Sequence, residues 1–225
     1  MIIAIDGTAS SGKTSASKEL SKRLNIPLLP TGLVYRAIAL KAIHENISPE
    51  NKSDLLKMIE RTSIDSKYAN KEVSIYLDKL PASYADLKSK IVSENVAHYA
   101  SIPFVREFVR KIQKEQAQKY EDIIVEGRDI GSVVFPNADI KFFVDADLET
   151  RAKRSQKEFL SRGENISLEK VKEIINIRDE EDRHRSISPL IMTSDSILID
   201  TSDMTVLEVV DEMVQKINKK KKLLK

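Results

Sequence analysis

The sequence contains no cysteine, which excludes disulfide bonds, thiolate metal sites and cysteine nucleophiles. It also lacks an excess of one charge, because 37 basic and 35 acidic side chains leave a net charge of +2. That balance argues against a polyanion such as DNA as the main partner. No apolar run reaches transmembrane length, and the apolar run near the N-terminus has no basic stretch before it. We therefore expect a cytoplasmic protein with neither nucleic-acid nor membrane partners.

The length of 225 residues fits one α/β domain with excursions better than two independent domains. Five short apolar runs are typical of buried strands, and helical segments separate most of them. The pattern predicts an α/β fold around a central parallel sheet of five strands. The predicted strands lie at residues 2–5, 28–29, 123–125, 140–144 and 197–199.

Two segments depart from this pattern. Residues 46–100 are largely polar, with apolar residues alternating over 73–77, and they predict an inserted small α+β lobe. Residues 147–165 favour helix, are strongly charged and contain a break at Gly163, so they predict a mobile lid that is poorly committed to a core. No large exposed apolar stripe is evident, so we expect a monomer. The core of this single unit is then formed by residues 1–45, 101–146 and 166–225.

The last helix has a start signal and an apolar stripe. Thr205 and Glu208 form the pattern of a capping box, which predicts the beginning of a helix. The lysine run at residues 219–222 is interpreted as a solvated helix end. The apolar stripe is predicted to be buried and consists of Val206, Leu207, Val209, Val210, Met213 and Ile217.

The first predicted strand leads into a phosphate-binding sequence. The segment satisfies the pattern G-x-x-x-x-G-K-[ST], with a strand before it and a helix after it. Backbone N–H groups of such a loop surround phosphate oxygens, while Lys13 reaches the β and γ phosphates and the Thr14 hydroxyl ligates Mg²⁺. The sequence therefore predicts binding of a nucleoside triphosphate with Mg²⁺. This phosphate loop consists of Gly7, Thr8, Ala9, Ser10, Ser11, Gly12, Lys13 and Thr14.

The phosphate loop alone does not identify what receives the phosphoryl group. A small-molecule kinase, a GTPase-type switch and a motor or transport ATPase all fit the motif. Residues 51–54 match the guanine-reading N-K-x-D pattern, but they lie in a polar stretch with no strand ahead of them. The chain has no D-x-x-G element to sense a γ-phosphate, and its length leaves little room for motor or transport machinery. A kinase is favoured, with a nucleotide-dependent switch as the alternative.

Seven of the twelve arginines lie between positions 128 and 185. The planar guanidinium binds phosphate oxygens through two hydrogen bonds, so a site that moves a phosphoryl group between two anions needs several of them. A solvated helix face with ion pairs to residues 179–182 is the alternative, and the spacing leaves both open. The seven are Arg128, Arg151, Arg154, Arg162, Arg178, Arg183 and Arg185.

Five segments together carry a family resemblance. They are residues 7–14, 31–36, 105–107, 126–136 and 178–189, and the most specific of them reads E-G-R-D-I-G-S-V-V-F-P. Over nearly its whole length the chain resembles the bacterial-type cytidylate kinases, which are nucleoside monophosphate kinases. The resemblance implies transfer of the γ-phosphoryl group of ATP to CMP and dCMP with Mg²⁺ as cofactor. A kinase for another monophosphate, such as UMP or AMP, is the alternative.

The resemblance also implies that the inserted lobe at residues 46–100 binds the nucleoside monophosphate acceptor, and it implies roles for individual residues. Arg106 and Asp129 match positions that contact cytosine, whose exocyclic amine and ring acceptors suit an arginine beside a carboxylate. Thr14 and Glu126 match a metal site, the latter through water. Residues with catalytic roles by resemblance are Lys13, Arg128, Arg151, Arg154 and Arg185, of which Arg151 and Arg154 belong to the lid. Residues implied to bind the acceptor are Thr31, Gly32, Tyr35, Arg36, Arg106, Arg128, Asp129, Arg178, Asp182 and Arg185.

Three positions depart from the family pattern. Pro30 stands where relatives usually carry Asp before the Thr-Gly pair, and Glu126 stands where many carry Asp. Ala97 aligns with a hydroxyl residue that helps to read cytosine in relatives, a role that Ser93 or Asn95 would fill under a shifted alignment. Recognition of the base is therefore the part of the site that the sequence defines least.

Overall fold

The structure, a computed structural model, describes residues 1–223. The chain forms two compact units. The first contains residues Met1–Ile26 and the chain from Ile124 onward, and the second contains Pro27–Ile123. Helices and strands are numbered along the whole chain.

The first unit begins with a strand, the phosphate loop and a helix, in the order that the sequence predicts. After the second unit, the chain returns through a strand and a short π-helix at Ile130–Val134. The remaining elements alternate between sheet and helix. The elements are β1 (Ile2–Gly7), α1 (Lys13–Leu24), β6 (Ile123–Glu126), β7 (Ile140–Asp145), α7 (Leu148–Ser161), α8 (Leu168–His184), β8 (Ile197–Asp200) and α9 (Val206–Leu223).

The second unit is mostly helical and carries a small antiparallel sheet. Its elements are β2 (Leu28–Pro30), α2 (Thr31–His44), α3 (Lys52–Glu60), β3 (Ile64–Ala69), β4 (Glu72–Leu77), β5 (Leu80–Pro81), α4 (Tyr84–Leu87), α5 (Lys90–Ala100) and α6 (Pro103–Ala117). The predicted alternating stretch is β4, which pairs with β3 and β5. The proposal that residues 46–100 act as an acceptor lobe stays a prediction.

The central sheet has five parallel strands in the order β2-β6-β1-β7-β8. β1 pairs with β7 from Ile3 opposite Ile140 to Gly7 opposite Val144, and β7 pairs in turn with β8. The middle strands are buried along their lengths, as their continuous apolar runs predict. The predicted α/β fold with a five-stranded parallel sheet is confirmed.

The strand order decides where the polar chemistry lies. In a parallel sheet the carboxyl ends of neighbouring strands meet at one edge, where ligands of α/β proteins bind. Asp6 and Gly7 end β1, Glu126 ends β6 and Asp145 ends β7. The sheet therefore brings these carboxylates and the phosphate loop to the same edge.

The charged segment that follows β7 has a core of its own, which corrects the prediction made from its composition. Ala152 on α7 and Val171 and Ile175 on α8 are fully buried together. Leu148, Phe159, Ile166 and Leu168 pack against that cluster, so two mostly polar helices are joined by an apolar seam. Whether residues 147–165 move as a lid stays a prediction.

The last helix follows its start signal but not the whole predicted stripe. The Thr205 hydroxyl and backbone N–H both donate to the Glu208 carboxylate, at 2.8 and 2.7 Å, so the capping box is confirmed. Val206 and Leu207 are exposed, because they lie in the first turn, whereas the other four apolar residues of the stripe are buried. Within residues 1–223, no helix has both the length and the apolar character needed to span a membrane.

Candidate nucleotide site

The phosphate loop leaves β1 at a glycine that no other residue can replace without displacing the sheet. Gly7 has φ +151°, and a Cβ atom at this position would lie 1.9 Å from the carbonyl oxygen of Val144. The loop then turns into α1, which begins at Lys13. Backbone N–H groups at such a helix N-terminus favour anions, so the geometry suits the phosphates of a nucleotide.

Lys13 is buried inside the loop that it serves. Its ammonium group donates to the Thr8 carbonyl at 2.7 Å, and the Ser11 hydroxyl donates to the same carbonyl at 3.0 Å. Burial and the nearby Arg128 guanidinium lower the pKa of Lys13 from its usual 10.5 to about 7. An anion bound in the loop would supply the countercharge for the buried ammonium group.

Two carboxylates hold the loop in place, and sequence reasoning missed both roles. Asp145 at the end of β7 accepts a hydrogen bond from the Thr8 hydroxyl at 2.6 Å. Asp179 on α8 accepts from the backbone N–H of Ala9 at 3.1 Å. The position of Asp145 directly after a buried apolar run was the available signal, and Asp179 lies within segment 178–189, which carries part of the family resemblance.

Arg151 on α7 is almost fully buried against the loop. Its Nε donates to the Ala146 carbonyl at 2.9 Å and its terminal nitrogen to the Ala9 carbonyl at 3.3 Å. The same guanidinium forms an ion pair with the buried carboxylate of Asp179. This arginine therefore connects α7, α8 and the phosphate loop.

Arg154 lies one turn further along α7 and also contacts the loop. Its guanidinium donates to the hydroxyl and carbonyl oxygens of Thr201 at 2.8 and 2.7 Å, and more weakly to the Ser11 carbonyl at 3.4 Å. The Thr201 hydroxyl in turn donates to that Ser11 carbonyl at 2.8 Å. Both predicted lid arginines lie beside the phosphate loop, while their role in closure stays a prediction.

Two of the arginines predicted at the acceptor donate hydrogen bonds to the carboxylate of Asp182. Arg128 donates to one carboxylate oxygen at 2.8 Å and Arg185 to the other at 3.0 Å. Burial acts to raise the pKa of Asp182, but the Arg128 and Arg185 charges outweigh it and hold that pKa below its usual range. Arg178, on the same helix, is exposed to solvent. Two guanidinium groups are therefore held on the Asp182 carboxylate, and the charge of Arg178 also acts to lower the pKa of Asp182.

Thr14 and Glu126 provide oxygen atoms that fit a divalent cation. The Thr14 hydroxyl lies 3.3 Å from a carboxylate oxygen of Glu126, and the Glu126 side chain is buried. Among residues 1–223, no group of three or more His, Cys, Asp or Glu side chains is arranged to hold a metal. Mg²⁺ commonly keeps several waters and binds one or two protein oxygens together with substrate phosphates, so this pair suits it.

The segment that contains Arg128 and Asp129 continues into the π-helix. Asp129 is buried, and its carbonyl accepts from the N–H groups of Val133 and Val134 at 2.9 and 3.1 Å. The next two residues donate their N–H groups to Asp6, a residue to which sequence reasoning gave no role. The signal was its place at the end of the first strand, immediately before the phosphate loop.

In the second unit, Tyr35 and Arg106 lie against each other. The Arg106 guanidinium lies over the Tyr35 ring, 5.5 Å from its centroid, and donates to the Ala100 carbonyl at 3.1 Å. Arg106 is buried, with only 4% of its surface exposed. Thr31 and Gly32 begin α2, one turn before Tyr35, with Thr31 buried and Gly32 exposed. These predicted acceptor residues are thus grouped on α2 and α6.

Arg36 extends from α2 towards α4 and α5. Its guanidinium donates to the Leu87 carbonyl at 3.0 Å and to the Ser93 hydroxyl at 2.9 Å. The Asn95 amide instead donates to the Ile91 carbonyl of its own helix, and Ala97 is exposed. Of the two candidates for the missing hydroxyl function, Ser93 is the one that contacts a predicted acceptor residue.

Comparison with known proteins extends over almost the whole chain. The family model described as cytidylate kinase matches residues 3–219. A cytidylate kinase of Clostridioides difficile is 40% identical over 97% of this chain and 98% of its own length. One of Desulforamulus reducens is 38% identical over 97% of both chains.

A solved structure shares the fold at much lower sequence identity. The crystal structure of an uncharacterized protein from Eubacterium ventriosum superposes with a TM-score of 0.53 and 17% identity, covering 97% of this chain and 98% of that one. This likeness concerns the fold alone. The match of the family model to residues 3–219, together with the relatives that are 40% and 38% identical, shows that this chain belongs to the cytidylate kinase family.

Proposed function

We propose that this protein transfers the γ-phosphoryl group of ATP to CMP and dCMP, giving ADP and CDP or dCDP. The observation that carries the proposal is a complete phosphate loop with a buried Lys13 in a chain that matches cytidylate kinases over residues 3–219. As a member of that family, the protein is an ATP-dependent nucleoside monophosphate kinase.

On the donor side, the loop amides bind phosphate oxygens and Lys13 neutralises charge on the β and γ phosphates. Thr14 and, through water, Glu126 would hold Mg²⁺, which when bound neutralises charge on the transferred group. The 3.3 Å approach of their oxygen atoms supports this assignment. Arg151 and Arg154, which lie on loop carbonyls, add positive charge beside the triphosphate.

On the acceptor side, Arg106 and Asp129 are assigned to cytosine, since a carboxylate accepts from the exocyclic amine and a guanidinium donates to ring acceptors. Arg36 and Arg128 are assigned to the acceptor phosphate. The remaining acceptor assignments are Thr31, Gly32, Tyr35, Arg178, Asp182 and Arg185. Ser93, which accepts a hydrogen bond from Arg36, supports the placement of that guanidinium.

The reaction needs no strong general base. The attacking oxygen belongs to a phosphate whose second pKa is about 6, so it is largely deprotonated near neutral pH. The protein's contribution is to align the two phosphates and to neutralise charge, and arginines can contribute on the order of 10³-fold to such a transfer. We further propose that residues 147–165 close over the triphosphate and exclude water, which prevents hydrolysis.

We also propose a domain organisation, a cellular location and an oligomeric state for this kinase. Residues 46–100 form the acceptor lobe of one kinase unit, and the protein acts as a cytoplasmic monomer on free nucleotides. Neither nucleic acid nor a membrane is a partner. The near-balance of charge supports the exclusion of nucleic acid, and the exposed lysines at residues 219–222 serve as a solvated helix end.

The proposal is tested by measuring ADP release from Mg·ATP with CMP, dCMP, UMP, AMP, GMP or dTMP as the single acceptor. CMP and dCMP should raise turnover far above the control without acceptor. Lys13→Met should abolish that stimulation, whereas Lys18→Met, an exposed lysine on the same helix, should preserve it. Stimulation by UMP or AMP alone would reassign the acceptor, and no stimulation by any monophosphate would refute the kinase assignment.

A further inference from the structure

The carboxylate of Asp6 binds the polypeptide backbone at a distant point in the sequence. One of its oxygens accepts from the Ile130 N–H at 2.9 Å, and the other accepts from the Gly131 N–H at 2.7 Å. Only 5% of Asp6 is exposed. Both acceptor atoms of a buried side chain are therefore used to hold one short segment.

That segment is the start of the π-helix, where backbone N–H groups have no partner within the helix. The Asp6 carboxylate supplies acceptors for two of these N–H groups from β1. The fit is close, because a Cβ atom at Gly131 would lie 3.4 Å from an Asp6 oxygen and 3.0 Å from Cδ of Lys141. A glycine at position 131 permits this approach of backbone to carboxylate.

The Asp6 carboxylate connects β1 to the start of the π-helix, and these two segments differ in their other contacts. β1 is fixed by its parallel pairing with β7, from Ile3 to Gly7, and that pairing does not involve the Asp6 side chain. The N–H groups of Ile130 and Gly131 depend on the carboxylate. Loss of the carboxylate should therefore displace the start of the π-helix and leave the phosphate loop in place.

Arg128 and Asp129 come immediately before the tethered residues. We propose that Asp6 is a positioning residue for the acceptor nucleotide, because it fixes the backbone that carries Arg128 and Asp129 without itself touching a substrate. This inference rests on the proposed roles of those two residues at CMP. It assigns part of the acceptor selectivity to the strand that leads into the phosphate loop.

The electrostatics of Asp6 agree with such a role. Burial raises the pKa of Asp6 from 3.8 to about 6, the two backbone N–H groups and Arg128 oppose that rise, and Asp129 adds to it. The ionised carboxylate thus depends on the N–H groups that it binds. Protonation would remove acceptor capacity and weaken the tether.

The test compares Asp6→Asn with Asp139→Asn. Asp139 is a matched control, because its carboxylate also accepts a backbone N–H, that of Ile2 at 2.6 Å, at the opposite end of β1. An asparagine at position 6 keeps one acceptor oxygen. Its amide NH2 group would face the second backbone N–H and cannot accept a hydrogen bond from it. We expect Asp6→Asn to raise the KM for CMP about tenfold or more, the effect of losing about 1.4 kcal/mol of binding.

The KM for ATP should change less than about threefold in Asp6→Asn, and Asp139→Asn should leave both constants near those of the wild type. Hydrogen exchange at residues 130 and 131 should be faster in Asp6→Asn alone. Should that variant fail to fold, Gly131→Ala perturbs the same contact and is expected to give the same split between CMP and ATP. A merely structural role would instead lower kcat and raise both KM values together.

The outcomes separate this inference from the proposed function. If the wild type transfers phosphate to CMP and the folded Asp6→Asn enzyme keeps the wild-type KM for CMP, the positioning role is overturned while the function stands. A KM for ATP that rises as much as that for CMP would also overturn it. If no monophosphate stimulates ADP release by the wild type, the proposed function is refuted, and this inference is refuted with it.

Discussion

The carboxylate of Asp179 forms a buried ion pair with Arg151 and also accepts the backbone N–H of Ala9 at 3.1 Å. One side chain on α8 therefore links α7 to the phosphate loop. Both charged partners are almost completely shielded from water. Removing one member of such a pair leaves an uncompensated buried charge, which makes this contact a sensitive point of the fold.

Replacing Asp179 by alanine should lower the free energy of unfolding by about 3–5 kcal/mol, because Arg151 would keep its charge without a carboxylate. The KM for ATP should also rise, since the loop loses its connection to α8. Urea unfolding and steady-state kinetics measure the two effects. Glu158→Ala is the control, as its pair with Arg162 on α7 is exposed and should be worth less than about 1 kcal/mol. Equal losses in the two variants would contradict this account.

Binding of Mg·ATP should take up a proton at pH 8. The free protein holds Lys13 with a pKa of about 7, so the amine is mostly neutral at pH 8, and a bound triphosphate would raise that pKa. Calorimetric titrations in buffers of different ionisation enthalpy should show uptake of roughly 0.5 to 1 proton, falling towards zero at pH 6. In Lys13→Arg, whose guanidinium stays charged, the uptake should vanish. A binding heat that is independent of buffer in the wild type would contradict the prediction.

The lowered pKa of Lys13 also makes the free energy of unfolding depend on pH. A base whose pKa is lowered on folding binds fewer protons in the native state than in the unfolded chain between about pH 7 and 10.5. Lys13 therefore makes the nucleotide-free protein more stable as pH rises through that window. The unfolding free energy of the wild type minus that of Lys13→Met should therefore increase as the pH rises through that window. No change in this difference between pH 7 and pH 10 would argue against a buried, partly neutral Lys13.

Glu126→Gln should raise the Mg²⁺ concentration needed for half-maximal activity about tenfold, a typical cost of losing one supporting ligand. The neutral amide cannot supply the negative charge that lies 3.3 Å from the Thr14 hydroxyl. Chelation of Mg²⁺ should abolish transfer and its return should restore it. Glu121→Gln, just before the other end of β6, removes the same charge and should not alter the Mg²⁺ requirement. Identical Mg²⁺ curves for wild type and Glu126→Gln would remove this residue from the metal site.

Ser93→Ala should raise the KM for CMP about fivefold, equivalent to about 1 kcal/mol, with little change in the KM for ATP. The reason is that the Ser93 hydroxyl accepts one of the hydrogen bonds of the Arg36 guanidinium. Ser101→Ala is a control from the end of the same helix, where the hydroxyl donates only to the His98 carbonyl. An unchanged KM in Ser93→Ala would show that Arg36 is oriented without it.

The sequence predicted the sheet and the phosphate loop because both are written in local patterns. Ile3, Ile5 and their neighbours form continuous apolar runs, and such runs are typical of strands that are covered on both faces. The loop motif sits between a strand and a helix, as its chemistry requires. Local patterns therefore suffice to predict the types of these elements.

The carboxylates that hold the site could not be assigned in the same way. Asp6, Asp145 and Asp179 bind partners more than a hundred residues away in the sequence. Their roles follow from the strand order and from the placement of α8, neither of which is a local property. The residues were visible in the sequence, but the edge of the sheet at which they meet was not.

For the charged segment after β7, the prediction made from its composition was wrong. Its charge predicted weak attachment to a core, yet Ala152 on α7 packs with Val171 and Ile175 on α8. A few apolar residues at helical spacing suffice when a second helix covers them. Conversely, Val206 and Leu207 continue an apolar pattern but find no cover in the first turn of α9.

Product analysis after incubation with Mg·ATP and CMP tests the central proposal most directly. Nucleotides separated by ion-exchange chromatography and identified by mass should show ADP and CDP formed in equal amounts, with the transferred label from [γ-¹⁸O]ATP in the β-phosphate of CDP. That result would establish direct phosphoryl transfer to CMP. ADP formed together with inorganic phosphate, while CMP remains unchanged, would contradict it.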